Sequence, residues 1–185
     1  MSEIAPGKLD LVRRFLNTVS FGAGEDGLSG PDKLPEWCAA EGFECGSDLS
    51  RLRAFREALR AAALANAGHA DRVQSWQALK PFAAESRFTL EVSEDGTPEL
   101  RAGGGDRGRA IATLLAIVYD SVRDKTWPRF KACIAGDCQW AFYDESKNGS
   151  GTWCSMAVCG NRYKARRRRS REQNTTKATV RSTPN

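Results

Sequence analysis

Four of the six cysteines in this 185-residue chain fall late and in pairs: Cys133 with Cys138, and Cys154 with Cys159. Each pair is spaced C-x4-C, and fifteen residues separate the pairs. A short loop lets both sulfurs of a pair turn to one point, and two such loops can surround one ion tetrahedrally, as structural Zn2+ requires. Four thiolates fill every position around that ion. No place is left for a catalytic water, so the expected role is structural and the chain is not expected to be an enzyme. Directly after Cys159, seven of the ten residues from Arg162 to Arg171 are basic: Arg162, Lys164, Arg166, Arg167, Arg168, Arg169 and Arg171. On a helix Arg162, Arg166 and Arg169 share one face, and Lys164, Arg168 and Arg171 another, so charge surrounds the rod. Its complement is a phosphate backbone, to which arginine offers paired hydrogen bonds. Charge on every side positions a protein on nucleic acid better than it reads bases.

Other uses of these residues predict other surroundings. Two disulfides would suit an exported protein, but Ser2 to Asp10 is polar and no apolar segment of a secretory signal follows. A cytoplasmic, reducing setting is therefore expected, where paired cysteines more often hold metal. No apolar run approaches the length of a membrane span, and the basic rod lacks the apolar face of a membrane-surface helix. The second reading is a redox-responsive module or interaction scaffold, in which oxidation of the thiolates ejects zinc and alters a protein contact.

The elements that must position the four sulfurs are legible nearby. Gln139 to Tyr143 is strand-like, Lys147 to Gly151 is a turn cluster, and Thr152-Trp153 begins a return. A helix follows whose first turn carries Cys159. Its free backbone N–H groups at Gly160, Asn161 and Arg162 favour anionic sulfur. Trp140, Phe142, Tyr143 and Trp153 supply a small core. Knuckle, β-hairpin and helix in that order make a treble-clef-like finger. The stretch Trp153-Cys-Ser-Met-Ala-Val-Cys-Gly-Asn-Arg162, preceded by Phe142-Tyr-Asp144 and Ser146, resembles the CGNR zinc finger, named for the residues that are Cys159 to Arg162 here. Thr152 stands where such sequences often carry an arginine. The usual N-terminal companion of that finger is the ABATE domain, which Leu9 to Val19 resembles, with Asn17-Thr18-Val19 matching its opening motif. This resemblance implies a bacterial, stress-responsive transcription regulator. Its partner would be DNA, and its N-terminal domain would sense a small-molecule ligand or mediate assembly.

Charge divides the chain in the same way. From Arg123 onward fourteen Lys and Arg stand against five Asp and Glu, a net +9; residues 1–122 hold fourteen against eighteen, a net −4. An acidic body with a basic end points that end toward a polyanion. The body reads as mainly α with a small β-hairpin, an α+β fold. Leu9, Val12, Phe15, Leu16 and Val19 predict an amphipathic helix over 8–19. The glycines between Gly22 and Gly30 match no phosphate-binding loop and read as a flexible connection. Asp32 is placed to cap a short helix, Ser47 or Asp48 the next, and Asp71 a third that Pro81 bends or ends. Cys38 and Cys45 read as half-buried thiols, since His69 is the only other soft ligand and cannot complete a second site alone. Leu49, Leu52, Phe55, Leu59 and Leu64 predict a buried face. Arg51, Arg53, Arg56 and Arg60, largely opposite, predict a solvated one. Arg87 to Val92 and Pro98 to Ala102 predict a hairpin with the Pro98 strand at an edge. Asp106 is placed to start the most apolar helix, with Ile111, Leu114, Leu115, Val118 and Val122 inward. The resulting division is 1–122 for the helical domain and 123–132 for a connection. The finger with its basic helix then spans 133–171, and a disordered tail 172–185.

Overall fold

The structure is a computed structural model that describes residues 4–30, 32–42, 48–103 and 108–170. The expectations for Cys45, Ser47, Asp106, Arg171 and the tail lie outside these residues. Helix α1 (Leu9–Leu16) buries Leu9, Val12, Phe15 and Leu16, as their spacing predicts. It stops earlier than the pattern suggests. Val19 instead begins a short strand, β1 (Val19–Ser20), antiparallel to β2 (Glu25–Asp26). The glycine-rich stretch is therefore no slack connection. Gly24 turns it at a positive φ of 69°, Leu28 is fully buried, and Asp26 is anchored on Arg56.

Helix α2 (Lys33–Ala40) starts at Asp32 without a side-chain cap, whereas α3 (Leu49–Asn66) is capped by Asp48, which accepts from the Arg51 amide at 2.9 Å. Leu52, Phe55 and Leu59 of α3 are buried as expected. Arg56 and Arg60 are not solvated: they are 3% and 2% exposed. The reason is that α3 is covered on two sides, by α1 with the β1–β2 turn and by the later hairpin, so these stems thread apolar surface. Their heads are satisfied there. Arg56 donates to both Asp26 oxygens at 2.8 Å and to Thr18 at 2.9 Å, while Arg60 donates to the carbonyls of Leu16 and Gln139.

Helix α4 (Arg72–Glu85), capped by Asp71, runs through Pro81 and does not end there. Proline forgoes only its own N–H bond one turn back, and buried Leu79 and Phe82 anchor the helix on either side. Strands β3 (Phe88–Val92) and β4 (Pro98–Ala102) form the expected antiparallel hairpin, with Leu90 opposite Leu100. Helix α5 (Arg109–Arg123) buries Ile111, Leu114 and Val118, and Leu115 packs partly against the core. Val122, in its last turn, is exposed, and neighbouring Ser121 takes the inward position there.

After a short turn at Trp127–Arg129, β5 (Phe130–Ala132) pairs antiparallel with β6 (Ala141–Tyr143). The hairpin thus joins the strand before the first cysteine pair to the strand after it. The expected return at Thr152-Trp153 contributes only a carbonyl, from Thr152 to the Ile134 amide at 3.1 Å. Burial decides the pairing: Phe130 and Ala132 belong to the same core as Phe15, Leu59 and Leu114. Helix α6, residues 161–170, completes the described chain. Among the described residues no helix is long and apolar enough to cross a membrane.

Candidate metal centre and its basic helix

The β5–β6 hairpin carries the first cysteine pair at its tip. Cys138 and Gln139 both donate their amides to the Ala135 carbonyl, and Gln139 takes a positive φ of 48° that turns the chain back into β6. The second pair lies on another tight loop. The Ser155 carbonyl accepts from Cys159 at 2.9 Å and Gly160 at 3.1 Å, its hydroxyl oxygen accepts from Val158, and a single π turn at Met156–Gly160 leads into α6.

These two loops bring Cys133, Cys138, Cys154 and Cys159 together, with all four sulfurs within 4.8 Å of one another. Cys138 Sγ lies 3.5 Å from Cys154 Sγ, which lies 3.6 Å from Cys159 Sγ. A zinc–sulfur bond of about 2.3 Å implies tetrahedral sulfur–sulfur edges of about 3.8 Å, so the donor set has the size of one Zn2+ coordination shell. None of the four is in a disulfide. Their electrostatics point the same way. Contact with the thiols of Cys133 and Cys154 lowers the pKa of Cys138, while contact with Cys133 and Cys138 raises that of Cys154. Four close sulfurs cannot all ionise without a cation among them. These cysteines are a structural zinc site, and a bound ion would crosslink two loops that otherwise share only a small cluster of Cys133, Phe142 and Cys159 with Trp153 packed against it.

Cys38 is different. It is buried on α2 and disulfide-bonded, not a half-buried thiol, and a sulfur so bonded has no thiolate to offer a metal.

Around the sulfurs stands a set of polar side chains that spacing alone did not single out. Lys131 and Asp144 form a buried ion pair at 2.8 Å. Asp144 also accepts from the amides of Ser146 at 3.0 Å and Gly151 at 2.7 Å, and Lys131 donates to the carbonyls of Gly149 and Gly151. One ion pair thereby shapes the loop that delivers Cys154. Its signal in the sequence was the Asp144 of the quoted motif, whose partner could not be read from spacing.

The second such residue is Asp137, inside the first C-x4-C loop. It accepts from Arg162 at 3.2 Å and Arg166 at 2.8 Å, and the Arg162 guanidinium also reaches Cys159 Sγ at 3.6 Å. Tyr163 packs on Trp153 with ring centroids 4.9 Å apart. Arg162, Tyr163 and Arg166 thus mark the side of α6 that faces the finger. By helical geometry Lys164 and Arg168 lie opposite, with Arg167 on their flank, and all three are exposed. Arg169 is exposed too and donates to the Ala165 carbonyl at 3.4 Å. The basic run is therefore two-sided: one part is tied to the metal loops, the other faces outward.

Comparison with known families gives two matches. The family described as "CGNR zinc finger" matches residues 129–172, and the family ABATE, described as "Putative stress-induced transcription regulator", matches residues 9–124. No curated protein matches the chain.

Proposed function

The chain belongs to the ABATE family and carries a CGNR zinc finger; from that premise we propose that it is a non-enzymatic regulator of transcription that docks on duplex DNA through α6. The observation that carries this reading is the outward row of Lys164, Arg167 and Arg168 on a helix rooted in the zinc site. Zinc fixes the loop from which α6 springs, and Asp137 and Trp153 fix its rotation. The outward cations are then held as a unit and do not trail as a loose tail. Such a row engages phosphates and sets the protein's place on a duplex.

Titration of the zinc-loaded full chain with duplex DNA over a range of salt tests the proposal. With about four phosphates engaged, log affinity should fall against log salt with a slope near −3.6. Changing Lys164, Arg167 and Arg168 together to Gln should remove most of that slope and leave zinc content unchanged. Absence of binding at low salt, or an affinity indifferent to salt, would overturn the reading.

A further inference from the structure

The β3–β4 hairpin stands apart from the metal centre, and its two edges are treated differently. Gly103 donates its amide to the Arg87 carbonyl at 2.8 Å, and Ser93 donates to Thr97 at 3.0 Å. These bonds, with the register of Thr89 opposite Arg101 and Glu91 opposite Glu99, fix which residues turn their backbone toward β4. They are Arg87, Thr89, Glu91 and Ser93, because hydrogen-bonded and non-hydrogen-bonded pairs alternate along an antiparallel ladder. Phe88, Leu90 and Val92 therefore aim their N–H and C=O groups at the open side of β3.

On β4 the corresponding outward residues are Pro98, Leu100 and Ala102. That edge is guarded: Pro98 has no N–H to offer, and β4 lies along α5. β3 is less protected, its one charge being Glu91. It carries no proline and no lysine, its extensive packing is with β4 alone, and every one of its residues is exposed. Leu90 and Val92 are each 68% exposed, on the same face as Phe88. An unguarded apolar edge is a template for another strand.

The strand that fits best is β3 itself. Paired antiparallel about a two-fold axis at Leu90, it sets Leu90 against its own counterpart in a second copy, and Phe88 against the counterpart of Val92. Each of these residues is one whose backbone points outward, so each would donate and accept across the seam. Apolar side chains meet apolar ones, and the polar face sets Thr89 against Glu91, so no like charges are opposed. Slipping the pairing by one residue would bring inward-bonded backbone to the seam and put apolar side chains opposite polar ones. We infer that the chain forms a two-fold dimer in which two β3–β4 hairpins join into one four-stranded antiparallel sheet. An isologous contact of this kind closes on itself and leaves only the two guarded β4 strands as outer edges.

Sedimentation of the zinc-loaded full chain across a concentration series tests this directly. The wild type should be a dimer. Leu90→Pro removes only an outward N–H, so it should give a monomer with unchanged far-ultraviolet circular dichroism and zinc content. Leu90→Lys and Leu90→Glu should each be monomeric through self-repulsion at the axis, and an equimolar mixture of the two should dimerise again. A wild type that stays monomeric throughout, as it would if the edge served another protein, overturns the inference. So does a dimer that survives Leu90→Pro, or a Lys and Glu mixture that remains monomeric.

Discussion

Gly151 donates its amide to Asp144 and accepts from Lys131 through its carbonyl. A Cβ added there would stand 2.8 Å from Asp144 Oδ1 and 3.0 Å from its carboxyl carbon. Asp144 is fully buried and held from three directions, so it cannot move aside. Gly151→Ala should therefore cost about 1–3 kcal/mol, the range for overpacking, read as a lower melting temperature and weaker zinc retention. In the helical part Asp26 plays a comparable role. Hydrogen bonds from Arg56 hold its carboxyl below the usual carboxylate range, against the opposing effect of burial. A carboxyl whose pKa is depressed by folding stabilises fully above its unfolded value, near about 4. That contribution is lost as pH falls through the lower folded value. Asp26→Asn leaves the buried Arg56 guanidinium with Glu57 as its remaining charge partner and should cost about 1.5–3 kcal/mol at neutral pH, the range for hydrogen bonds to charged groups. The variant should also show a flatter fall in stability below pH about 4 than the wild type, when both are followed by denaturant unfolding.

At the scale of elements, α6 is held by contacts that would compete with the phosphates of the proposed duplex. Asp137 occupies Arg162 and Arg166 as a phosphate would, and its carboxyl is held below the usual range, chiefly by the hydrogen bond from Arg166. Asp137→Asn should release one or both guanidinium groups. Duplex affinity at low salt should then rise several-fold, and the salt slope should steepen by about 0.9 for each added phosphate. A weaker or unchanged complex would mean that Asp137 serves only to orient the helix. Which elements could be read in advance follows from the same distinction between local and distant partners. The sulfurs were legible because a metal needs particular donor atoms at short spacing, and α1, α3 and α5 because their apolar residues repeat at the helical period. The roles of Arg56, Arg60 and Asp137 were not, since each depends on a partner more than twenty residues away. The β5–β6 pairing was missed for a related reason. Phe130 to Ala132 carries a lysine between two apolar residues and falls in what reads as a connection, and only the burial of Phe130 and Ala132 in the shared core marks it as the partner of β6.

For the molecule as a whole, the finger is built onto the helical part and not merely tethered to it. Asn17, just after α1, donates to the Ala141 carbonyl at 2.9 Å and accepts from the Ala141 amide at 2.8 Å, so one side chain extends the β6 edge. Asn66, at the end of α3, donates to the carbonyls of Trp127 and Phe130, and Arg60 spans from Leu16 to Gln139. Trp127 stacks on Phe130 at 5.2 Å and touches Trp76 of α4, which ties the last link before the finger into the same core. A metal that orders Cys133 therefore also holds β5 in place, and β5 fills the space beside Phe15 and Leu59. Zinc contributes on the order of 10 kcal/mol to the folding of small sulfur-ligated modules, and part of that should reach the helices. Two measurements check this. Chelating the zinc should lower the melting temperature of the helical circular dichroism signal and change the fluorescence of buried Trp127. Asn17→Ala, which leaves both polar groups of Ala141 without their partner, should cost about 1–3 kcal/mol and speed zinc loss to a competing chelator, although Asn17 is remote in sequence from every ligand. Helices whose melting ignores the chelator would show instead that the two parts fold independently.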